Sequence, residues 1–145
     1  MKRLLMFSAL ALVLSANKCS EKKMGGDVST DLTSLAGGQW MLATLNGKPI
    51  ELPEGAKTPW VKLEQEGARL SGYGGCNQLM GSYKLEGDHI SFPGLGSTKM
   101  MCPAASDLES KFMNALRLTD GFKMDGDVLR LFQGTAELAT LRSAT

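Results

Sequence analysis

Three glycines within four residues, at positions 72, 74 and 75, constrain this chain more than any other feature. They sit in the stretch 69–102, RLSGYGGCNQLMGSYKLEGDHISFPGLGSTKMMC, which also carries two of the three cysteines. Glycine takes positive φ without steric cost and lets a second segment approach its backbone closely. A glycine run ending in Cys76-Asn77 therefore marks a place where a strand stops and bends. It is a poor phosphate cradle, because such a loop needs a helix N-terminus and a Lys-Ser or Lys-Thr pair next, whereas Cys76-Asn77-Gln78 follows without helical periodicity.

The flanking pattern predicts short antiparallel strands. Residues 39–45 form the first, with Trp40, Leu42 and Thr44 on one face and Met41, Ala43 and Leu45 on the other. Asn46-Gly47 follows as a type I′ turn, and the prolines at 49, 53 and 59 make 48–58 an irregular connection. Segments 60–65 and 68–73 pair across Glu66-Gly67, and 81–85 and 89–92 pair across Glu86-Gly87-Asp88. Further on, 122–124, 128–132 and 137–141 complete the strand set. One helix interrupts it: Ser106-Asp107-Leu108-Glu109 reads as a capping box, Leu108, Phe112, Ala115 and Leu116 share one apolar face, and Gly121 serves as the stop. The expected class is mainly β with one helix (α+β). An antiparallel meander would curl into a small, partly closed β-barrel with the helix packed on it or plugging an open end.

The N-terminus predicts export. Met1-Lys2-Arg3 is a positive leader start, and the apolar run 4–16 is too short for a bilayer span, so residues 1–18 read as a signal peptide. Cys19 follows an imperfect lipobox in which Lys18 replaces a small residue; lipid attachment at Cys19 and ordinary cleavage after Ala16 both fit. Residues 19–34 are polar and glycine-containing and read as a tether, leaving 35–145 as a single domain. Removing 1–18 takes away Lys2, Arg3 and Lys18 and no acid, leaving thirteen basic against fifteen acidic residues, a charge of −2. Such a balance excludes nucleic acid as a partner, which requires a clustered basic excess. In an oxidising compartment three cysteines leave one unpaired; with Cys19 acylated, Cys76 and Cys102 remain as a pair, either a structural disulfide or two buried thiols.

Five short motifs recur in a known order: Trp40-Met41-Leu42, Leu45-Asn46-Gly47-Lys48-Pro49, Gly75-Cys76-Asn77, Gly81-Ser82-Tyr83 and Ser97-Thr98-Lys99-Met100-Met101-Cys102. In these the chain resembles the META domain, or HslJ-like, family over residues 35–142. The resemblance makes Gly75, Cys76, Asn77, Thr98, Met100 and Cys102 the family-motif residues. Met101 departs from the alanine more usual in the family and is expected to perturb packing. What the resemblance implies is a bacterial envelope protein linked to stress, with a fold but no agreed enzymatic activity.

No convergent catalytic set emerges from the residues themselves. His89, the only histidine, stands beside Asp88 in a hairpin, and Ser71, Ser82 and Ser91 lack a nucleophile elbow. Cys76 and Cys102 have no C-x-x-C spacing and no second ligand motif for zinc. Methionines 80, 100, 101, 113 and 124 with Cys102 suggest a soft copper(I) set, against which stands their ordinary use as fillers of irregular core gaps. Trp40 and Trp60 fit either a ligand mouth or core or barrel-rim packing. The expected protein is non-catalytic, without cofactor or metal, exported to the periplasm or outer membrane. It would be held to the membrane by its lipid and bind an envelope protein or small ligand. Two alternatives are an inhibitor of a host hydrolase such as lysozyme, and a hydrolase using Ser97 or Thr98 with Lys99, which demands a buried lysine.

Overall fold

The computed structural model describes residues 34–144. The leader 1–18, Cys19 and all but the last residue of the tether lie outside the described residues. The strands in chain order are β1 (Gln39–Leu45), β2 (Lys48–Pro49), β3 (Trp60–Glu64), β4 (Arg69–Tyr73), β5 (Gln78–Ser82), β6 (Lys84–Glu86), β7 (His89–Ser91) and β8 (Gly96–Ser97). Helix α1 (Ser106–Leu118) precedes β9 (Gly121–Asp125), β10 (Val128–Gln133) and β11 (Ala136–Ser143). All pairings are antiparallel, and the main sheet runs β8-β5-β4-β3-β1-β11-β10-β9, with β2 folded back on β1.

The fold is therefore the expected α+β class, with a sheet curled but not closed by its ladder. The first and last strands pair at its centre, Leu42 opposite Leu141. At the open side the β6–β7 hairpin bridges the gap: the Phe122 amide at the β9 edge donates to the Asp88 carbonyl at 3.0 Å, and the Ser82 amide donates to Pro93 at 3.1 Å. Closure of this kind shields the two edges that a long sheet would otherwise expose.

Strand alternation sends Leu42, Val61, Leu63, Leu70, Leu79, Leu129, Leu131 and Leu141 inward. Helix α1 lies against β1, β7, β10 and β11 and adds Phe112 and Leu116, both fully buried. Each such side chain contributes about 1.5–3 kcal/mol of burial free energy.

Three local features depart from the sequence pattern. A register shift between Leu42 and Thr44 in β1 breaks strict alternation, so Leu45 joins Trp40 and Leu42 in the core while Thr44 pairs through its hydroxyl with Thr140 at 2.6 Å. The segment 81–85 is not one strand. Residues 78–82 belong to β5, and the chain turns at Tyr83, whose amide donates to Ala68, before β6 begins. Gly121 does not stop the helix but starts β9; Thr119 ends it, its hydroxyl satisfying the Ala115 carbonyl at 2.8 Å and its amide reaching Leu116.

Candidate functional site

Where β4 ends, the chain makes a turn closed by the Gly74 amide donating to the Asn77 carbonyl at 2.8 Å. Gly75 in that turn has φ of +117°, a conformation open to glycine but strained for other residues. The turn points two backbone donors and one amide side chain at a single carboxylate. The Cys76 and Asn77 amides donate to Glu109 Oε2 at 3.1 and 2.6 Å, and Asn77 Nδ2 donates to Glu109 Oε1 at 2.8 Å. Glu109 is only 8% exposed, and it approaches so closely that a Cβ on Gly74 would sit 2.6 Å from its Cγ.

Glu109 therefore does not cap its own helix. The N-cap is Ala105, which makes no side-chain cap bond, and Ser106 lies one residue inside, its hydroxyl donating to the Pro103 carbonyl at 3.2 Å. The S-x-x-E spacing that suggested a capping box here serves a tertiary contact instead. Among the described residues no cation pairs with this carboxylate. Its charge is offset by three N–H donors and by its place in the first turn of the helix.

Asn77 extends the network to the other wall. Its Oδ1 accepts from the Met100 amide at 2.6 Å and the Thr98 hydroxyl at 2.9 Å, while Nδ2 donates to the Met100 carbonyl at 3.3 Å as well as to Glu109. All four hydrogen-bonding positions of the amide are used, as burial of such a group requires. Thr98 in turn accepts from the Gln78 amide at 3.1 Å. A disulfide joins Cys76 to Cys102, with Cα atoms 5.9 Å apart, and the Cys102 carbonyl receives the Ala105 and Ser106 amides where α1 begins. The family-motif residues Gly75, Cys76, Asn77, Thr98, Met100 and Cys102 thus meet in one knot, with Glu109 as the member that sequence reasoning assigned elsewhere. A carboxylate on the same helical face as Phe112 and Leu116 was the available signal.

The knot separates two concavities. The larger, about 590 Å³, lies between the 53–57 loop, the β3–β4 pair Trp60 and Tyr73, Gln78 on β5, and the segment 102–105. Tyr73 is fixed by its hydroxyl, which donates to the Gly75 carbonyl at 2.7 Å. On the other side a cleft of about 300 Å³ is lined by Asn77, Thr98, Lys99, Met100, Met101 and Ser110, among others. Trp60 thus stands at a mouth, whereas Trp40 is core, its indole N–H donating to the Leu35 carbonyl at 3.0 Å.

Other sequence candidates fall elsewhere. Lys99 is exposed and Thr98 is committed to the knot, so the Ser97/Thr98–Lys99 arrangement lacks the buried lysine it would need. His89 is exposed at the β7 edge, with Nδ1 3.1 Å from the Asp120 carbonyl and Nε2 3.6 Å from Asp88, and lines neither concavity. The methionines are not uniformly gap fillers: Met113 is buried, but Met80, Met100 and Met101 are 53%, 60% and 93% exposed. Met101 consequently perturbs no packing. Cys102 is engaged in the disulfide and is no thiolate ligand, and among the described residues no three His, Cys, Asp or Glu side chains cluster.

A family model described as META domain matches residues 33–145. An NMR structure of a protein from Burkholderia xenovorans is 25% identical, with a TM-score of 0.63 over 100% of this chain and 99% of that one. A crystal structure of a DUF4847 family protein from Bacteroides vulgatus, 16% identical, covers 74% of this chain and 93% of its own with a TM-score of 0.53, a likeness of fold alone. No curated protein matches the chain.

Proposed function

The chain belongs to the META domain family, and from that premise we propose that it is an exported binding module of the bacterial envelope, working through the Trp60–Tyr73 cleft without catalysis. The observation that carries this reading is the cleft itself. It is about 590 Å³, within the range of small-ligand sites, and two aromatic side chains line it beside a few polar groups. Its walls are covalently joined, since Gly75 and Cys102 line it and the Cys76–Cys102 bond ties their segments together. A disulfide of this kind suits an oxidising compartment, in keeping with the leader at 1–18. Acylation of Cys19 would anchor the module to a membrane, in the periplasm or at the outer membrane, with 20–34 as its tether, and a stress-related role in envelope maintenance follows the family resemblance.

Capture from envelope extract tests the reading. Bait protein should retain a component that Trp60→Ala, folded by its melting curve, fails to retain. Equal retention by both baits, or no component on either, would overturn the assignment of function to this cleft.

A further inference from the structure

Trp60, Tyr73 and Gln78 form a row across three adjacent strands, Trp60 opposite Tyr73 and Tyr73 opposite Gln78. Adjacent strands are about 4.8 Å apart, so the row offers two aromatic rings and a planar amide at regular lateral spacing. All three line the same open cleft, and the facing wall carries Glu54 and Lys57 from the 53–57 loop. Resting on the binding role proposed above, we infer that the ligand of this cleft is a neutral oligosaccharide, lying along the row with successive sugar rings over Trp60 and Tyr73.

The chemistry of the lining selects this class. Sugar rings present C–H faces that pack on aromatic rings and an equatorial rim of hydroxyls that both donate and accept. Trp60 and Tyr73 supply the first kind of contact. Glu54 accepts, Lys57 donates and Gln78 does both, which suits hydroxyls on every side. One acid and one base in the lining leave no net charge to recruit a phosphate or a polyanion. A polyproline segment also seeks aromatic grooves, but its proline nitrogens carry no N–H, so it would make no use of the acceptors that Glu54 and Gln78 present beside the two rings. The knot contributes rigidity: Tyr73 is held by its bond to the Gly75 carbonyl and needs no reordering when a ring lands on it.

The two tryptophans make the test direct, because Trp40 is 2% exposed and Trp60 is the one at the cleft. Chitotetraose and cellotetraose, both neutral and β-linked, are titrated into the purified protein while tryptophan emission and backbone amide shifts are followed. A proline-rich peptide serves as the competing probe. Saturable changes with either sugar, centred on residues 60, 73 and 78 and weakened about tenfold or more by Trp60→Ala, are expected. His89→Ala, at an exposed strand edge outside the cleft, should bind as wild type does, and melting curves of both variants establish that they fold. No saturation by either sugar, or unchanged affinity in folded Trp60→Ala, overturns the inference. Saturation by the peptide alone overturns the sugar class while leaving a Trp60-dependent cleft intact. Failure of the envelope capture with Trp60 bait, by contrast, removes the binding role itself.

Discussion

Replacing Glu109 by glutamine keeps the shape of the side chain and changes only what its two oxygens can accept. In the protein Oε2 receives two backbone amides and Oε1 receives Asn77 Nδ2. A glutamine oxygen can take the place of Oε2, but its NH₂ then faces the Asn77 NH₂, donor against donor. One charge-assisted bond is lost and two become neutral. With hydrogen bonds to charged groups contributing about 1.5–3 kcal/mol and neutral ones about 1 kcal/mol, one bond lost and two weakened come to ~2.5–7 kcal/mol; relief from no longer burying a charge offsets part of this and leaves a net cost of ~2–4 kcal/mol. Glu109→Ala leaves three buried donors without an acceptor, at about 1–3 kcal/mol each, and costs more, ~3–9 kcal/mol. For a domain of this size 1 kcal/mol moves the midpoint by about 4 °C, so Glu109→Gln should melt roughly 8–16 °C lower. Urea unfolding read by tryptophan emission measures both variants. Ser106→Ala is the discriminating control: a capping serine would cost ~1 kcal/mol, whereas here its loss should stay within about 0.5 kcal/mol. If Ser106→Ala and Glu109→Gln prove equally mild, the carboxylate is not the centre of the knot.

The disulfide spans a sequence separation of 26, for which chain-entropy reasoning gives ~3 kcal/mol; Cys102→Ser and reduced wild type should therefore melt together and well below oxidised wild type. Gly74→Ala forces a Cβ against the Glu109 side chain and should destabilise by about 1–3 kcal/mol, while Gly96→Ala, with open space at its Cβ, should be nearly neutral in the same urea assay. Metabolic labelling with a fatty-acid analogue should mark wild type and not Cys19→Ser; equal labelling of the two would remove the lipid anchor from the proposal.

Periodicity and turn chemistry were enough to show the sheet in outline. Strands β1, β3, β4 and β10 were legible because each buries one face, and a period of two records that burial directly in residue type; β9, with no buried side chain, was legible from the Asp125-Gly126 turn, and β11, with four buried in succession, from its apolar run. The Asn46-Gly47 turn was legible for a similarly local reason: both residues take positive φ, 49° and 74°, in a turn type that selects for them. Strand β5 was not, because Gln78-Leu79-Met80 follows the glycine bend with an exposed methionine and only one deeply buried side chain. The β1 bulge escaped for the opposite reason: nothing in Leu42-Ala43-Thr44 marks the register shift, which is set by pairing with β11 about a hundred positions away.

For the site, residue chemistry singled out the Gly-Gly-Cys-Asn turn and the 97–102 run, and pairing of the two cysteines was open between a bond and thiols. Tertiary structure decided what holds them. Ser106 and Glu109 carry the local pattern of a cap, and a helix in isolation could use them so. In the folded protein Ala105 provides the N-cap, and the orphan amides of the glycine turn, buried away from water, compete for the same carboxylate. They win because a buried N–H without an acceptor costs more than an exposed helix end, which water can satisfy. Sequence alone thus determined which residues bend the chain and which face inward, since those choices are local. Which donor meets which acceptor across 32 or 33 residues, and whether aromatic side chains line a cleft or fill a core, depended on how the layers closed.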